Sequence, residues 1–289
     1  MILQEFNSGL GNQMFQYAFH DWLKERYPSQ KILADLSWFR WHEAHQGFEL
    51  QRIFGAGLRE AKTAEVIRIS GRIPQTFPGA YPLDRLLRLL TEKHYRQLKL
   101  DEIDRDYPLD PEKNWYITGY YISEKYYRDR LPRLKELFRF PESEKTVMKD
   151  RIEGTLSVSV HVRHGDYMDP KYGGKFKVLP MEYYKKAVEL IRSRAGNAEF
   201  FLFSDDKEYI REAFGWLEPK TVVTGNEGQD SWKDMYLMSL CRHNIAANST
   251  FSTWGGLLNR HEDALVVYPA EYLSTEDSEV KTIPGWIRV

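Results

Sequence analysis

The chain has 289 residues, 42% of them hydrophobic and 29% charged, with 41 Lys and Arg against 42 Asp and Glu. That is the composition of a soluble globular protein, and a net charge of −1 gives nucleic acid no electrostatic foothold. No apolar run reaches the ~20 residues that cross a bilayer, no signal peptide opens the chain, and the lone Cys241 excludes an internal disulfide, so a reducing, cytoplasmic setting is expected.

The first predicted element is an apolar strand over residues 2–6, then the turn NSGLGNQ and a helix. In that helix Met14, Phe15, Ala18, Phe19 and Trp22 recur at three- and four-residue steps. Gly9 and Gly11 let a ligand approach the main chain, and the helix start offers N–H groups and a positive dipole end to an anion. A plain tight turn is the alternative. The dinucleotide fingerprint is absent, because no third glycine stands at the required spacing. In WHEAHQ, residues 41–46, the two histidines are three apart where a metalloprotease helix needs four, and no third ligand follows, so no metal is expected. Residues 81–100 place Leu83, Leu86, Leu87 and Leu90 on one face of a predicted surface helix, with peripheral contact to a membrane surface as the alternative. Asp104-Arg105-Asp106 lies in a charged run with no strand leading to it and reads as a solvated loop.

The length suits two domains of ordinary size. The boundary is expected in the charged stretch between about 140 and 155, giving domains 1–150 and 151–289. Beyond it strands and helices alternate: strand 156–163, helix 180–194, strand 199–203, helix 207–214, strand 220–224, helix 230–241, strand 243–247, helix 250–259 and strand 264–268. Such alternation implies βαβ units and a parallel, doubly wound sheet. In such sheets ligands sit beyond the carboxyl ends of the strands, and three polar clusters fall there.

The first cluster ends SVSVHVRHGDY, where Val158, Val160 and Val162 share one strand face and Ser159, His161 and Arg163 the other. Arg163 carries a fork of donors that fits a phosphate and stays charged, with a buried Arg–Asp pair as the alternative. The second cluster is FFLFSDD, where one of Asp205 and Asp206 can cap the next helix while the other accepts from a ligand. The third is HNIAANSTFSTWGG, in which Ser249 is a good N-cap; with Thr250 and the first N–H groups it makes an anion site. Together with Arg163 this would hold a diphosphate without a metal.

GLGNQMFQYAF, HVRHGDY, FLFSDD and DMYLMSLCRHNIAANSTFSTWGGLLN resemble, in order and spacing, the signature segments of the alpha-1,2-fucosyltransferases of glycosyltransferase family 11. The resemblance implies an α/β, GT-B-like architecture of two Rossmann-type domains facing a cleft, the first on the acceptor side and the second binding the donor. It implies GDP-L-fucose as donor, inversion at the anomeric carbon, neither cofactor nor metal, and the 2-hydroxyl of a terminal galactose on an oligosaccharide or lipid-linked glycan as acceptor. It also implies a bacterial enzyme of surface polysaccharide, cytoplasmic or peripheral at the inner face of the membrane. Carried over, Arg163 would hold the diphosphate, with His161 and Asp166 ordering it and both standing as candidate bases. Gly11, Asn12 and Gln13 would approach the donor from the first domain. His164, Asp205, Asn248, Ser249, Thr250 and Phe251 complete the donor set. His164 is a departure, since the family pattern has a second arginine there; the expected consequence is in donor affinity and its pH dependence. The alternatives are a fucosyltransferase of other linkage or acceptor, and a catalytically idle protein that binds a GDP-sugar or glycan.

Overall fold

Short apolar segments build two separate parallel sheets, one in Met1–Pro141 and one in Glu142–Val289, the two units into which the chain divides. The computed structural model describes residues 1–40, 42, 45–71, 95–97, 109–141, 147–168, 177–270 and 283–289.

In the first unit the chain runs β1 (Ile2–Glu5), α1 (Leu10–Arg26), β2 (Ile32–Asp35), α2 (Glu49–Phe54), α3 (Thr63–Ser70), β3 (Tyr95–Gln97), β4 (Trp115–Thr118), α4 (Glu124–Tyr127) and α5 (Leu131–Leu137). The strand order is β2-β1-β4-β3. β1 is buried on both faces, as a parallel strand covered by helices must be. Ile2 packs with Phe19 and Leu23 of α1 and with Tyr121 and Tyr126. Leu3 packs with Val66 and Ile69 of α3. The predicted helix over 81–100 is corrected in part: Tyr95–Gln97 pairs with β4 as a strand. The rest of that stretch and Asp104-Arg105-Asp106 lie outside the described residues.

The second unit runs α6 (Val147–Glu153), β5 (Ser157–Val162), α7 (Gly165–Met168), α8 (Met181–Ala195), β6 (Glu199–Ser204), α9 (Lys207–Ala213), β7 (Lys220–Val222), α10 (Trp232–Leu240), β8 (His243–Ile245), α11 (Thr250–Leu257), β9 (Val266–Tyr268) and β10 (Ile287–Arg288). Its strand order is β10-β9-β8-β5-β6-β7, all pairs parallel. Val158, Val160 and Val162 point into a core shared with Tyr184, Ala187, Val188 and Ile191 of α8 and with Phe200, Leu202, Ile210 and Phe214.

The opposite face of β5 is also buried, and there the Ser157 and Ser159 hydroxyls are matched, Ser157 Oγ accepting the Arg242 N–H at 3.1 Å. Asn244 donates to Ser159 Oγ at 2.7 Å and to the Met238 carbonyl at 2.8 Å, and Asn259 donates to Asn244 Oδ1 at 2.7 Å. The Gly255-Gly256 pair lets α11 approach closely: a Cβ on Gly256 would lie 2.9 Å from the Trp286 ring, and one on Gly255 3.2 Å from Met238 Cβ. Among the described residues no helix is long and apolar enough to cross a membrane.

Candidate functional site

The second sheet reverses its direction of growth once. From β5 the chain adds β6 and β7 on one side, then returns to place β8, β9 and β10 on the other. The switch point of the second unit therefore lies between β5 and β8, whose carboxyl ends carry HVRHGDY and AANSTFS. Crevices at such switch points are where open α/β sheets bind ligands.

Arg163 leaves the end of β5 with NH1 3.5 Å from Asp205 Oδ2, and its guanidinium carbon lies 5.5 Å from the centre of the Tyr167 ring. Asp205 also accepts the His164 backbone N–H at 3.0 Å. The adjacent carboxylates have separate tasks. Asp206 caps α9, accepting the Tyr209 N–H at 2.9 Å, and takes the His164 ring through Nδ1 at 2.8 Å. These bonds, the backbone one first, hold the Asp206 carboxyl below its ordinary pKa. The His164 ring lies flat on Tyr209 at 3.7 Å and 3°. The His164 side chain is thus engaged on the first turn of α9.

On the β8 side Ser249 caps α11, its Oγ accepting from Phe251 N at 3.3 Å. Ser252 and Thr253 turn their hydroxyls back to the Ser249 carbonyl at 3.2 and 2.9 Å. Tyr167 joins the two sides, donating its hydroxyl to the Asn248 carbonyl at 2.7 Å. The Asn248 amide nitrogen donates to the Lys177 carbonyl at 2.7 Å, so this side chain fastens a loop. Arg163 and the α11 start are therefore parts of one framework: guanidinium over Tyr167, Tyr167 on Asn248, Asn248 next to the cap. Asp166 falls in α7, and its side chain lies outside the described residues.

His161 is 4% exposed and tilts against Phe251 at 5.8 Å. Burial first, then the Arg163 charge, pull its pKa down to about 3. The ring is neutral at any ordinary pH, and its Nδ1 is buried without a hydrogen-bond partner.

In the first unit the switch point lies between β1 and β4, and GLGNQ opens α1 there. Gln13 is fully buried and spends its amide inside the protein: it donates to the Ser8 and Gly47 carbonyls at 2.8 and 2.9 Å and accepts the Glu49 N–H at 2.8 Å. The buried Glu49 carboxyl takes the Leu10 N–H at the start of α1 and pairs with Arg52 at 3.2 Å. Asn12 and Gln13 N–H groups return to the Gly9 carbonyl at 3.0 and 3.1 Å. A carboxyl of the protein itself thus accepts the first N–H of α1. Desolvation pushes the Glu49 pKa up to about 7, against the opposing pull of Arg52 and Leu10. Gly11 is buried and Asn12 half-buried.

The sequence reading named neither Tyr167 nor Glu49 as a site residue. Tyr167 stood inside a quoted motif and its hydroxyl was the available signal. Glu49 opens an ordinary amphipathic segment, and nothing local marks it.

The family model of glycosyltransferase family 11 matches residues 81–289. The chain belongs to glycosyltransferase family 11. It is 29% identical to the O-antigen biosynthesis glycosyltransferase WbnK of Escherichia coli, over 98% of each chain. It is 28% identical to an alpha-1,2-colitosyltransferase of Escherichia coli, over 100% of this chain and 99% of that one. Similarity to the galactoside alpha-(1,2)-fucosyltransferase 2 of Rattus norvegicus is 27% identity over 60% of this chain and 53% of the relative. Among solved structures, POFUT1 in complex with GDP-fucose superimposes with a TM-score of 0.50 at 12% identity, covering 92% of this chain and 96% of that one. The fold of this family 11 glycosyltransferase is accordingly α/β and GT-B-like, with two parallel-sheet units of Rossmann type.

Proposed function

We propose that the protein is an inverting, metal-independent transferase that moves L-fucose from GDP-β-L-fucose to the 2-hydroxyl of a terminal galactose. The observation that carries this reading is the β5/β8 switch point, where a permanently charged guanidinium and a hydroxyl-rich helix start share one rigid frame. The alpha-1,2 linkage and the acceptor come from the names of the relatives, and a surface polysaccharide acceptor from the O-antigen glycosyltransferase. A cytoplasmic site of action, with a lipid-linked glycan at the inner face of the membrane, belongs to the same proposal.

In this mechanism the bond from C1 of fucose to the β-phosphate oxygen breaks, and negative charge grows on the departing GDP. Arg163 and the α11 start stabilise that charge in the role a metal fills elsewhere. His164, Asp205, Asn248, Ser249, Thr250 and Phe251 order the nucleotide end of the donor, either directly or by holding the loops that do, and Gly11, Asn12 and Gln13 serve the sugar end. The acceptor hydroxyl attacks C1 from the opposite face and gives up its proton. Asp166 and His161 are the two candidate acceptors of that proton, and His161 is buried and neutral in the wall of the site.

A second reading keeps every element but the sugar. The colitosyltransferase matches the whole chain, and colitose is fucose without its 3-hydroxyl. The deciding experiment supplies GDP-fucose or GDP-colitose with a β-galactoside acceptor and determines the linkage of the product. An alpha-1,2-fucosylated galactoside is expected. Transfer from GDP-colitose alone would establish the second reading, and GDP binding without transfer would leave an idle binding protein.

A further inference from the structure

The stretch between β2 and α2 holds WHEAHQ, which donor chemistry leaves unused. A short 3-10 turn, Ser37–Arg40, follows β2 at the carboxyl edge of the first sheet. The rings of Trp38 and His42 stack at 4.3 Å and 4°, and His42 Nδ1 lies 3.0 Å from the Trp38 carbonyl oxygen. His45 lies 6.5 Å from Trp38 at a 30° tilt. Trp38 is half-buried, and both histidines are exposed.

His45 has φ +69°, a left-handed backbone that a side chain disfavours. Gln13 clamps the segment just beyond it, through the Gly47 carbonyl and the Glu49 N–H. The His45 ring also lies over the GLGNQ turn, where a Cβ on Gly9 would come within 3.1 Å of its Nδ1. The chain thus keeps a histidine where glycine suits the backbone better, and a glycine where a Cβ would crowd that histidine's ring. Strain of this kind, held by buried clamps, is characteristic of binding sites.

We propose that Trp38, His42 and His45 form the platform that binds the neutral acceptor sugar, an inference that rests on the transferase reading. An indole presents a flat apolar face to the C–H face of a pyranose, and imidazoles donate to or accept from its hydroxyls. An anion is disfavoured here. The Leu10 N–H is already taken by the Glu49 carboxyl, and the neighbouring Arg40 is paired with Glu60 at 2.5 Å. A metal ion is disfavoured too, because among the described residues no group of three His, Cys, Asp or Glu is arranged to hold one.

The test uses the full chain with GDP present and methyl β-galactoside as the probe, followed by saturation-transfer NMR and a thermal melt. Glycine relieves the strain at position 45, so His45→Gly should melt at or above the wild-type temperature while galactoside binding weakens about tenfold. Trp38→Ala should lose binding similarly and Trp38→Phe should restore most of it, with GDP affinity constant throughout. Wild-type binding in both His45→Gly and Trp38→Ala, or no galactoside signal from the wild-type chain, overturns the platform. A lowered melting temperature together with lost binding in His45→Gly assigns that residue to the fold and removes it from the platform. Transfer from GDP-fucose is read separately, so galactoside binding without turnover would overturn the transferase reading alone.

Discussion

The two units reach the same topological solution and put opposite chemistry at it. Each sheet has a switch point, and each switch point has a glycine- or serine-led helix start beside a strand end. In the second unit the helix start is capped by a hydroxyl and accompanied by Arg163. In the first the Leu10 N–H is taken by the buried Glu49 carboxyl. A helix dipole by itself therefore does not make an anion site; what matters is which group the rest of the fold brings against it. On the proposed reading the diphosphate belongs to the second unit, and the first takes something uncharged.

The sharpest way to break that comparison is Arg163→Ala. Loss of a donor aimed at a departing anion typically costs about 100- to 1000-fold in rate, and a fall of that size in kcat/KM is expected with the fold retained by circular dichroism. Near-normal kinetics would show that the diphosphate charge is met elsewhere. Ser249→Ala probes the other half of the same site. It should cost about 1 kcal/mol of stability through the lost cap and weaken GDP binding measured by titration calorimetry. Unchanged GDP affinity would separate the α11 start from the donor.

Glu49→Gln sharpens the comparison from the first unit. The folded pKa of Glu49 is raised from 4.5 to about 7, so the wild-type chain holds this proton more tightly folded than unfolded. The stability this supplies is fully present below pH 4.5 and is lost as the pH rises through about 7. Glutamine keeps an acceptor for Leu10 without titrating. Melting temperatures of the variant should therefore gain on the wild type between pH 5 and 8, and a constant difference would mean that Glu49 ionises normally. Removing divalent ions should have the smallest effect: transfer in a chelator is expected to continue undiminished, and loss of activity restored by one ion would give the charge-stabilising role to that ion instead of Arg163.

Much of the second unit could be read before any coordinates. The two-residue period of Val158, Val160 and Val162 specifies a strand, and all six residues of Ser157–Val162 are buried in the sheet. The Asp205-Asp206 pair before a helix reads as a cap with one carboxylate to spare; Asp206 is the cap and Asp205 faces the β5 loop. The first unit was harder. Residues 95–97 carry a helical leucine pattern on their N-terminal side and nevertheless form an edge strand, because pairing with β4 outweighs local periodicity. The Gln13 side chain is held by Gly47 and Glu49, so its part in the proposed donor site is to fix the turn that carries Gly11 and Asn12. Nothing within a few residues of Gln13 announces a partner 34 or 36 positions away.

The sequence by itself determined the α/β alternation, the polar strand ends, the Ser249 cap and a family resemblance that the family model matches, all properties written in local spacing and residue type. Only the tertiary structure decided where each sheet has its switch point, which carboxylate faces Arg163, that Tyr167 ties the two sides of the second unit's switch point together, and that Glu49 occupies the start of α1. Those outcomes depend on which distant groups are buried together. Burial also brings a histidine to a pKa near 3 and a glutamate to about 7, although neither residue type declares it.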